Sequence, residues 1–470
     1  MPDPAIVWFR RDFRLADNPA LDYARNHHDR VLPVYIHDPE ALGDWSPGAA
    51  SRWWLHHALA DLGKRLADRG VPLVIRRGRA EEVLSDLLDE TGASAVCWNR
   101  LYEPALVERD TRIKSDLKER GVAVESFRAA LLFEPWELAR EENRFYKVFT
   151  PYWKRMQADW RAVTSRPEPR ELSGPSKTPR SLSLVELALL PDIEWADGLR
   201  DRWEVGELAA RRRLDEFVDQ RVSDYEGQRD RPDRRGTSSL SPYLHFGHLS
   251  PTQVVEALEP SGELPGGKGA LGFVRELAWR EFSTMLLFHN PELPDEPMQE
   301  RFAEFPWRAR DDYADDLEAW KRGLTGVPIV DAGMRELWHE GWMHNRVRMI
   351  VASYLTKNLL IPWQEGAKWF WDTLVDADLG NNTQGWQWTA GCGADAAPYF
   401  RVFNPELQAD KFDPDAAYIH RWCPELDGLS LKQLKKIDDA DRERLGYPPM
   451  RVDLKASRRR ALEAFDSIKG

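Results

Sequence analysis

The stretch "AIVWF" at residues 5–9 is the first of a series of short apolar runs that decide the fold of the N-terminal part of the chain. Short apolar runs that alternate with helical periodicity are typical of a parallel β-sheet covered by helices. We therefore predict an α/β domain, Rossmann-like and doubly wound, over residues 1–130. The later runs are "VLPVYI" (31–36), "VPLVIR" (71–76), "ASAVCWN" (93–99) and "GVAVESF" (121–127), with helical stretches such as "SRWWLHHALADLGKRLADRG" (51–70) between them.

Beyond this domain the pattern changes twice. Residues 161–192 are rich in proline, serine and charge, which is typical of a connection between domains. After them the periodicity is helical nearly to the end, as in "GFVRELAWREFSTMLLF" (272–288). We predict a linker over residues 131–200 and an all-α domain over 201–470.

The composition sets limits on the class of protein. The chain has 470 residues, 42% hydrophobic and 31% charged, which suits a soluble protein with two cores. It contains no apolar run of about 18 residues that could span a membrane, and its first residues lack a signal-peptide pattern. We therefore expect a cytoplasmic protein. The three cysteines, Cys97, Cys392 and Cys423, are far apart and are predicted to be reduced.

Charge and aromatic content point in two directions. The formal net charge of −12 argues against a nucleic-acid partner, because phosphate binding needs concentrated positive charge. A groove lined with arginine can still exist in an acidic protein, and the chain has several arginine-rich stretches. Most of the 21 tryptophans are interpreted as core packing.

Two helical segments carry mixed polar and apolar faces. Glu276, Trp279 and Arg280 stand at i, i+3 and i+4 and thus share one face. Asn345 and Met349 stand at i and i+4 on another helix, with Arg348 between them. Such faces are either solvated or suited to stacking and hydrogen bonding on a nucleobase outside its helix.

Two further segments are rich in polar ligands. "GTSSLSP" (236–242) offers hydroxyl groups and backbone N–H donors that suit a phosphate, although serine-rich helix caps are common. Asp376 and Asp378 are too close to share one helical face and are expected in a loop. No histidines with metal-ligand spacing lie nearby, so no metal site is predicted. The alternative is recognition of hydrogen-bond donors, with Arg348 as an ion-pair partner.

Together these segments resemble the photolyase and cryptochrome flavoproteins over nearly the whole chain. The motifs that carry the resemblance are "VWFRRDFRLADNPAL" (7–21), "YKVFTPYWK" (146–154), "YEGQRD" (225–230), "GTSSLSPYLHFG" (236–247), "ELAWREF" (276–282), "TGVPIVDAGMREL" (325–337), "GWMHNRVRM" (341–349), "DADLGNNTQGWQW" (376–388), "DAAPYFRVFNP" (395–405) and "KFD" (411–413). The sequence is most similar to bacterial photolyases that repair cyclobutane pyrimidine dimers.

The resemblance implies an FAD cofactor in the helical domain. It implies that Arg348 pairs with Asp376 beside the flavin ring and that Asn382 points at the flavin N5. The residues implied to bind FAD are Tyr225, Thr237, Ser238, Ser239, Leu240, Ser241, Arg348, Asp376, Ala377, Asp378 and Asn382.

The resemblance also implies a pocket for a flipped-out dimer in UV-damaged DNA, lined by Glu276, Trp279, Asn345, Met349 and Trp388. Glu276, Asn345, Met349 and Asn382 are the implied catalytic residues. The implied strand contacts are Arg229, Arg280 and Arg346. Paired histidines associated with repair of the (6-4) photoproduct are lacking, which favours the cyclobutane lesion.

Three tryptophans match the family's photoreduction chain, with Trp386 nearest the flavin, then Trp363 and Trp307. Around Trp307 the spacing departs from the family pattern, so Trp320, Trp369 and Trp371 remain alternative exits. The family's N-terminal domain usually holds an antenna chromophore. Ala105 stands where a tryptophan is expected in the related branch, and folate, deazaflavin, flavin mononucleotide or an empty site all remain open.

The alternative function within the family is that of a cryptochrome, a sensory flavoprotein. The lesion pocket and the short chain after "VFNP" favour repair of DNA. We expect a monomer with no membrane partner.

Overall fold

The computed structural model describes residues 4–138, 145–191, 194–396 and 400–469. The chain divides into two compact units. The first unit comprises residues 1–194, 203–223 and 238–291, and the second comprises residues 195–202, 224–237 and 292–470. The chain thus passes between the units more than once. The domain boundaries expected from the sequence, after residues 130 and 200, remain a prediction.

The first unit is built on a five-stranded parallel sheet with the strand order β3-β2-β1-β4-β5. Ala5 of β1 pairs with Val31 of β2 on one side and with Ala95 of β4 on the other. Every residue of β1, β2 and β4 is buried, which explains the continuous apolar runs in the sequence. The strands are β1 Ala5–Phe9, β2 Val31–His37, β3 Val74–Arg77, β4 Ala95–Asn99 and β5 Ala123–Phe127.

Some helices of the first unit connect the strands of the sheet, and others follow the last strand in the chain. The helix after β1 begins with a cap, because Asn18 accepts a hydrogen bond from Leu21 N and Pro19 occupies the first turn. The α-helices of the first unit are α1 Pro19–His27, α2 Ala49–Ala67, α3 Ala80–Thr91, α4 Pro104–Glu119, α5 Phe149–Ala158, α7 Glu207–Gln220, α9 Ser241–His245, α10 Pro251–Leu258 and α11 Lys268–His289. Two short helices that occur between these in the chain, α6 Asp197–Arg202 and α8 Tyr225–Gln228, belong to the second unit.

The proline-rich segment after α5 belongs to the first unit and contacts its sheet. Val31 N donates to the carbonyl oxygen of Ser173, and Leu182 N donates to that of Ile75. Apart from the 3₁₀ turn Val185–Leu187, its described residues form no regular element. Prolines explain this, since they lack the N–H that a strand or helix needs.

Two buried glutamates anchor backbone in the first unit. Glu207 accepts from Leu15 N and Ala16 N and pairs with Arg65. Glu281 of α11 accepts from Leu132 N and Phe133 N, the latter at 3.0 Å. Both carboxylates thereby satisfy backbone donors that would otherwise be buried without partners.

The described part of the second unit is helical. Where α13 crosses α14, a Cβ at Gly333 would lie 2.4 Å from Val347, so glycine permits the close approach. The remaining elements are the 3₁₀ turn Glu300–Glu304, α12 Arg310–Lys321, α13 Pro328–Glu340, α14 Asn345–Ser353, the π-helical turn Tyr354–Asn358, α15 Trp363–Thr373, α16 Leu379–Ala390, α17 Pro405–Phe412, α18 Ala417–Trp422, the 3₁₀ turn Pro424–Leu426, α19 Leu431–Leu434, α20 Asp439–Leu445 and α21 Leu454–Ser467.

The predicted fold class, a Rossmann-like α/β sheet followed by helices, is confirmed. Among the described residues, no helix combines the length and the apolar character needed to cross a membrane.

Candidate functional site

The arginine and aspartate predicted to pair meet in the second unit. Nη2 of Arg348 lies 3.0 Å from Oδ1 and 2.9 Å from Oδ2 of Asp376. Nε of Arg348 donates to the carbonyl oxygen of Met343 at 2.8 Å, which fixes the plane of the guanidinium. Asp376 is largely buried, so its charge is compensated by this arginine. The pair therefore presents an oriented, hydrogen-bonding surface.

The second aspartate of the acidic pair has a structural contact of its own. Asp378 is the N-cap of α16 and accepts from Asn381 N at 2.9 Å. Both aspartates lie outside the helix, in agreement with the sequence prediction. Ala377 between them is buried. The carboxylates thus face different partners, Arg348 for one and the start of α16 for the other.

Helix α16 carries three of the predicted functional side chains. Nδ2 of Asn382 donates to the carbonyl oxygen of Ala367 on α15 at 2.9 Å, which orients the amide. Trp386 is buried, and its ring lies 4.9 Å from that of Phe370. Trp388 is partly exposed and donates through Nε1 to Asp395 O at 3.0 Å. Because helix positions two apart point in nearly opposite directions, the two indoles face different surroundings.

The packing around Trp386 requires a glycine on the neighbouring helix. A Cβ at Gly366 of α15 would lie 2.1 Å from the Trp386 ring, so the indole packs directly on backbone. Within the described ranges, Nε1 of Trp386 is buried with no hydrogen-bond partner. Several other indole nitrogens of the described chain are buried in the same way, so this feature is not specific to Trp386.

The other two tryptophans of the predicted photoreduction chain, Trp363 and Trp307, lie on different segments of the second unit. Trp363 begins α15 and is buried, and Trp307 is partly buried with its ring 4.4 Å from Phe305. Trp320 is fully buried, and its ring lies 6.1 Å from that of Trp386. Trp320 is therefore the alternative residue that the structure brings into ring contact with Trp386.

Two stacked tryptophan rings lie at the surface of the second unit. The rings of Trp369 and Trp338 are parallel, with centroids 5.9 Å apart. Trp338 is about half exposed, and Lys321 lies over the Trp369 ring. Trp371, the last alternative, is buried. Among the alternative exits of the photoreduction chain, Trp369 is therefore the one that stacks on a solvent-exposed tryptophan, Trp338.

Helix α14 presents the predicted Asn345 at an exposed position and Met349, one turn further on, at a partly exposed position. Arg346 of the same helix pairs with Asp230 at 2.7 Å and lies over the ring of Phe412. Arg229 lies over the ring of Tyr225, which is buried. The segment 225–230 and the start of α14 are therefore linked, and each contributes one of the predicted DNA-contacting arginines.

Sequence reasoning missed the residue that starts this helix. Nδ1 of His344 accepts from Arg346 N at 3.2 Å, which makes His344 the N-cap of α14. Burial lowers the pKa of His344 to about 4, so the ring is neutral and can accept. Histidine has no strong N-cap preference, so no sequence signal marked it.

In the first unit, α11 holds the other mixed face. Glu276, Trp279 and Arg280 are all partly exposed while Leu277 and Ala278 are buried, as the spacing predicts. The ring of Trp279 stacks on Phe149 with centroids 3.6 Å apart. This stack holds the indole in one orientation.

Arg280 is engaged with protein carbonyls, donating to Ala130 O at 2.6 Å and to Leu244 O at 3.5 Å. These bonds give it a structural role that the sequence did not predict. A contact with DNA from this residue remains a prediction.

The hydroxyl segment lies where the chain passes from the second unit, which includes Thr237, to the first. Ser238, Ser239 and Leu240 are buried, and Ser239 has a positive φ of 53°. Ser241 begins the short helix α9. In the region expected to hold an antenna, Ala105 is exposed on α4 while Leu106 is buried.

Comparison with known proteins finds two family models in the chain. Residues 5–171 match the model described as DNA photolyase, and residues 273–467 match the FAD binding domain of DNA photolyase. The second match contains α14, α15 and α16 with their predicted flavin residues.

Individual relatives cover the chain almost completely. It is 44% identical to a deoxyribodipyrimidine photo-lyase of Agrobacterium fabrum, over 99% of this chain and 98% of that protein. It is 39% identical to cryptochrome-2 of Arabidopsis thaliana, over 94% of this chain and 73% of that protein. The crystal structure of a bacterial class III photolyase from Agrobacterium tumefaciens superimposes with a TM-score of 0.94 at 43% identity, covering 100% of this chain and 98% of that one.

Proposed function

The chain belongs to the DNA photolyase family, and we propose that it is a light-dependent deoxyribodipyrimidine photo-lyase that repairs cyclobutane pyrimidine dimers in DNA. The observation that supports this most directly is the set of residues on α14 and α16 within the FAD-binding match. There Arg348 on α14 pairs with Asp376, which lies shortly before α16, and the oriented Asn382 amide and the buried Trp386 lie on α16, which packs against α14.

The side chains present suit a flavin. A charged guanidinium held by a carboxylate and by a backbone carbonyl offers a fixed surface beside a polar ring system. Hydroxyl groups at Thr237, Ser238, Ser239 and Ser241, with backbone N–H groups at the start of α9, suit a diphosphate. Tyr225, Leu240, Ala377 and Asp378 complete the proposed FAD-binding set.

Reduced FAD, when bound, supplies the electron that splits the dimer after absorption of light. The protein then has two tasks, which are to hold the lesion and to stabilise the charge that develops on it. We assign charge stabilisation to Glu276 and Asn345, which can hydrogen-bond the pyrimidine edge, and apolar contact to Met349. Trp279 and Trp388 offer flat surfaces on which an unstacked base can lie.

The choice of lesion rests on α14. Asn345 and Met349 stand one helical turn apart, where an amide and a thioether can contact a base but cannot act as an acid–base pair near neutral pH. Repair of a cyclobutane dimer needs electron transfer and bond splitting without such a pair. We therefore propose this lesion rather than the (6-4) photoproduct.

Binding to DNA is proposed to be local, because the net charge of the chain is −12. Arg229 and Arg346 belong to linked segments of the second unit and could neutralise neighbouring phosphates. Affinity should consequently fall as salt rises. We also propose that the protein acts in the cytoplasm as a monomer, and that any antenna chromophore is a folate, a deazaflavin or flavin mononucleotide.

One experiment tests the function. Reduced, flavin-loaded protein is mixed with an oligonucleotide containing one thymine dimer, and intact dimers are counted after blue light and after equal time in the dark. We expect repair in the light alone, with no repair of a matched oligonucleotide carrying a (6-4) photoproduct. A preparation that binds flavin and is photoreduced yet repairs neither lesion would favour the cryptochrome function. The similarity to cryptochrome-2 makes this the alternative to be tested.

A further inference from the structure

A cavity of about 150 Å³ lies within the second unit, beside Trp388. A cavity needs only about 10–15 Å³ of such space to hold one water, so this one has room for a small ligand. It is bordered by the end of α16, the segment 400–403, the 3₁₀ turn Glu300–Glu304 and the π-helical turn Tyr354–Asn358. Trp388 is the one residue among its described lining residues to which a role is assigned above.

Lys357, one of the residues lining the cavity, comes from the π-helical turn and is 1% exposed. Single π-helical turns are rare and are often found at functional sites. Its ammonium donates to the carbonyl oxygen of Arg401 at 3.2 Å and lies 3.5 Å from the centre of the Phe400 ring. Among the described residues this is its one hydrogen bond, so further donors of the ammonium remain without an acceptor.

A buried ammonium with so few partners is unfavourable, because burial removes its hydration. Burial accordingly lowers the pKa of Lys357 to about 7. The neighbouring Cys392 cannot serve as a counter-ion, since burial raises the pKa of its thiol to about 12. The charged form of Lys357 therefore lacks a negative partner within the described protein.

The other charged residues that line the cavity have the same sign. Arg301 and Arg401 both line it, and no aspartate or glutamate is among its described lining residues. Arg301 is oriented by a hydrogen bond to Gln299 and lies over the rings of Phe302 and Phe465. Thr389 and Ser353 add hydroxyl groups to the lining. The Thr389 hydroxyl already donates to Gly385 O, whereas that of Ser353 accepts from Phe403 N and keeps its own hydrogen. Two arginines, the Lys357 ammonium and the Ser353 hydroxyl, with no carboxylate among the described lining residues, form a surface suited to an oxyanion.

We propose that this cavity binds a tetrahedral oxyanion of the phosphate class, held by Lys357 from inside and by Arg301 and Arg401 nearer the surface. The anion supplies the negative partner that the buried ammonium lacks. Phosphate of this kind could come free from solution or from the backbone of a nucleic-acid strand. The binding site itself does not depend on the proposed repair function.

The test is calorimetric titration of the full-length, flavin-loaded protein with inorganic phosphate, at constant ionic strength maintained with chloride. We expect one saturable site. Lys357→Met keeps the length of the side chain and removes its charge, and should weaken binding at least tenfold. Lys436→Met, at an exposed position, is the matched control and should bind as the wild type does. Absence of saturable binding by the wild type, or unchanged binding by Lys357→Met, would overturn the proposal.

A second pair of variants keeps the test valid if Lys357→Met does not fold. Arg301→Gln and Arg401→Gln each remove one charge at an exposed position, and each should weaken phosphate binding severalfold. Unchanged affinity in both would also overturn the proposal.

Repeating the phosphate titration in the presence of saturating dimer-containing DNA distinguishes the two sources, free phosphate and a phosphate of the DNA strand. Loss of phosphate binding supports the site and identifies a strand phosphate as its ligand, and retained binding supports the site and identifies the free anion. Failure of the protein to bind DNA would contradict the proposed repair function but would leave the phosphate titration unaffected.

Discussion

Arg348 and Asp376, which are 28 positions apart in the sequence, form an ion pair in which one guanidinium nitrogen contacts both carboxylate oxygens. Asp376 is nearly buried, and Arg348 is about a quarter exposed. The pair therefore contributes both to the stability of the second unit and to the surface that we assign to the flavin.

Replacement of Arg348 by methionine should leave the Asp376 carboxylate buried without its cation. We expect the free energy of unfolding to fall by roughly 3 kcal/mol, since breaking a buried pair costs about that much. The flavin content of the purified protein should fall as well. Denaturant unfolding and the flavin absorbance measure the two effects. Arg444→Met, at an exposed pair with Asp441, is the control and should change stability by less than about 1 kcal/mol.

Trp386→Phe should block photoreduction of oxidised flavin, because phenylalanine is much harder to oxidise than an indole. The ring still fills the space against Gly366 and Phe370, so the fold should be retained. Flavin absorbance under blue light with an external reductant gives the rate. Protein reduced chemically beforehand should repair dimers normally, and unimpaired photoreduction in this variant would contradict the assignment.

Trp388→Ala should instead weaken binding of dimer-containing DNA and leave photoreduction intact. Stacking of a base on an aromatic side chain is worth about 1–3 kcal/mol, which sets the expected loss. Binding to labelled duplex with and without a dimer measures it. If Trp388→Ala and Trp386→Phe gave the same phenotype, the division of roles between the two faces of α16 would be wrong.

Glu276→Ala should lower the number of dimers repaired per absorbed photon more than it lowers DNA affinity. The reason is that a hydrogen bond to the pyrimidine edge gains strength as negative charge develops there. Repair is measured at saturating protein with calibrated light, and affinity is measured in the dark. Glu263→Ala, an exposed acid of the first unit, is the control. Equal repair per photon in Glu276→Ala and the wild type would remove this role.

Glu281 should make stability depend on pH. Burial raises the pKa of Glu281 from 4.5 to about 7, so the native state holds this proton more tightly than the unfolded chain does. Its contribution to stability is fully present below pH 4.5 and is lost as the pH rises through 7. At about 1.4 kcal/mol per pKa unit, the change amounts to roughly 3 kcal/mol.

The measurement is denaturant unfolding of the wild type and Glu281→Gln at pH 5 and at pH 8. Between these values the wild type should lose stability relative to the variant, because glutamine does not titrate. A difference between the two proteins that stays constant with pH would show that Glu281 is not shifted in this way.

Part of this protein could be predicted from local pattern. The apolar runs of β1, β2 and β4 predict strands buried on both faces, and the spacing of Glu276, Trp279 and Arg280 predicts one helical face. These features depend on neighbours within a few residues, which the sequence displays directly.

Other features involve residues far apart in the chain, and the packing of the helices decided them. The pairing of Arg348 with Asp376 was predicted from the family resemblance and not from local pattern. The contact of Asn382 with Ala367 on α15 and the indole of Trp386 against Gly366 depend on how α15 and α16 approach each other. The carbonyl partners of Arg280, Ala130 and Leu244, lie more than 30 residues away in the sequence.

The cavity around Lys357 shows the same limit most clearly. In the sequence Lys357 is one lysine in a helical run, and nothing in "SYLTKNLL" marks it as buried. Its position follows from the π-helical turn and from the segment 400–403 that covers it. Sequence periodicity reports which face of an element is apolar, whereas the burial of a single charge depends on which distant segments enclose it. The sequence by itself therefore determined the elements, the family and, through the family, the Arg348–Asp376 pair, and only the tertiary structure decided which single charges are enclosed by distant segments.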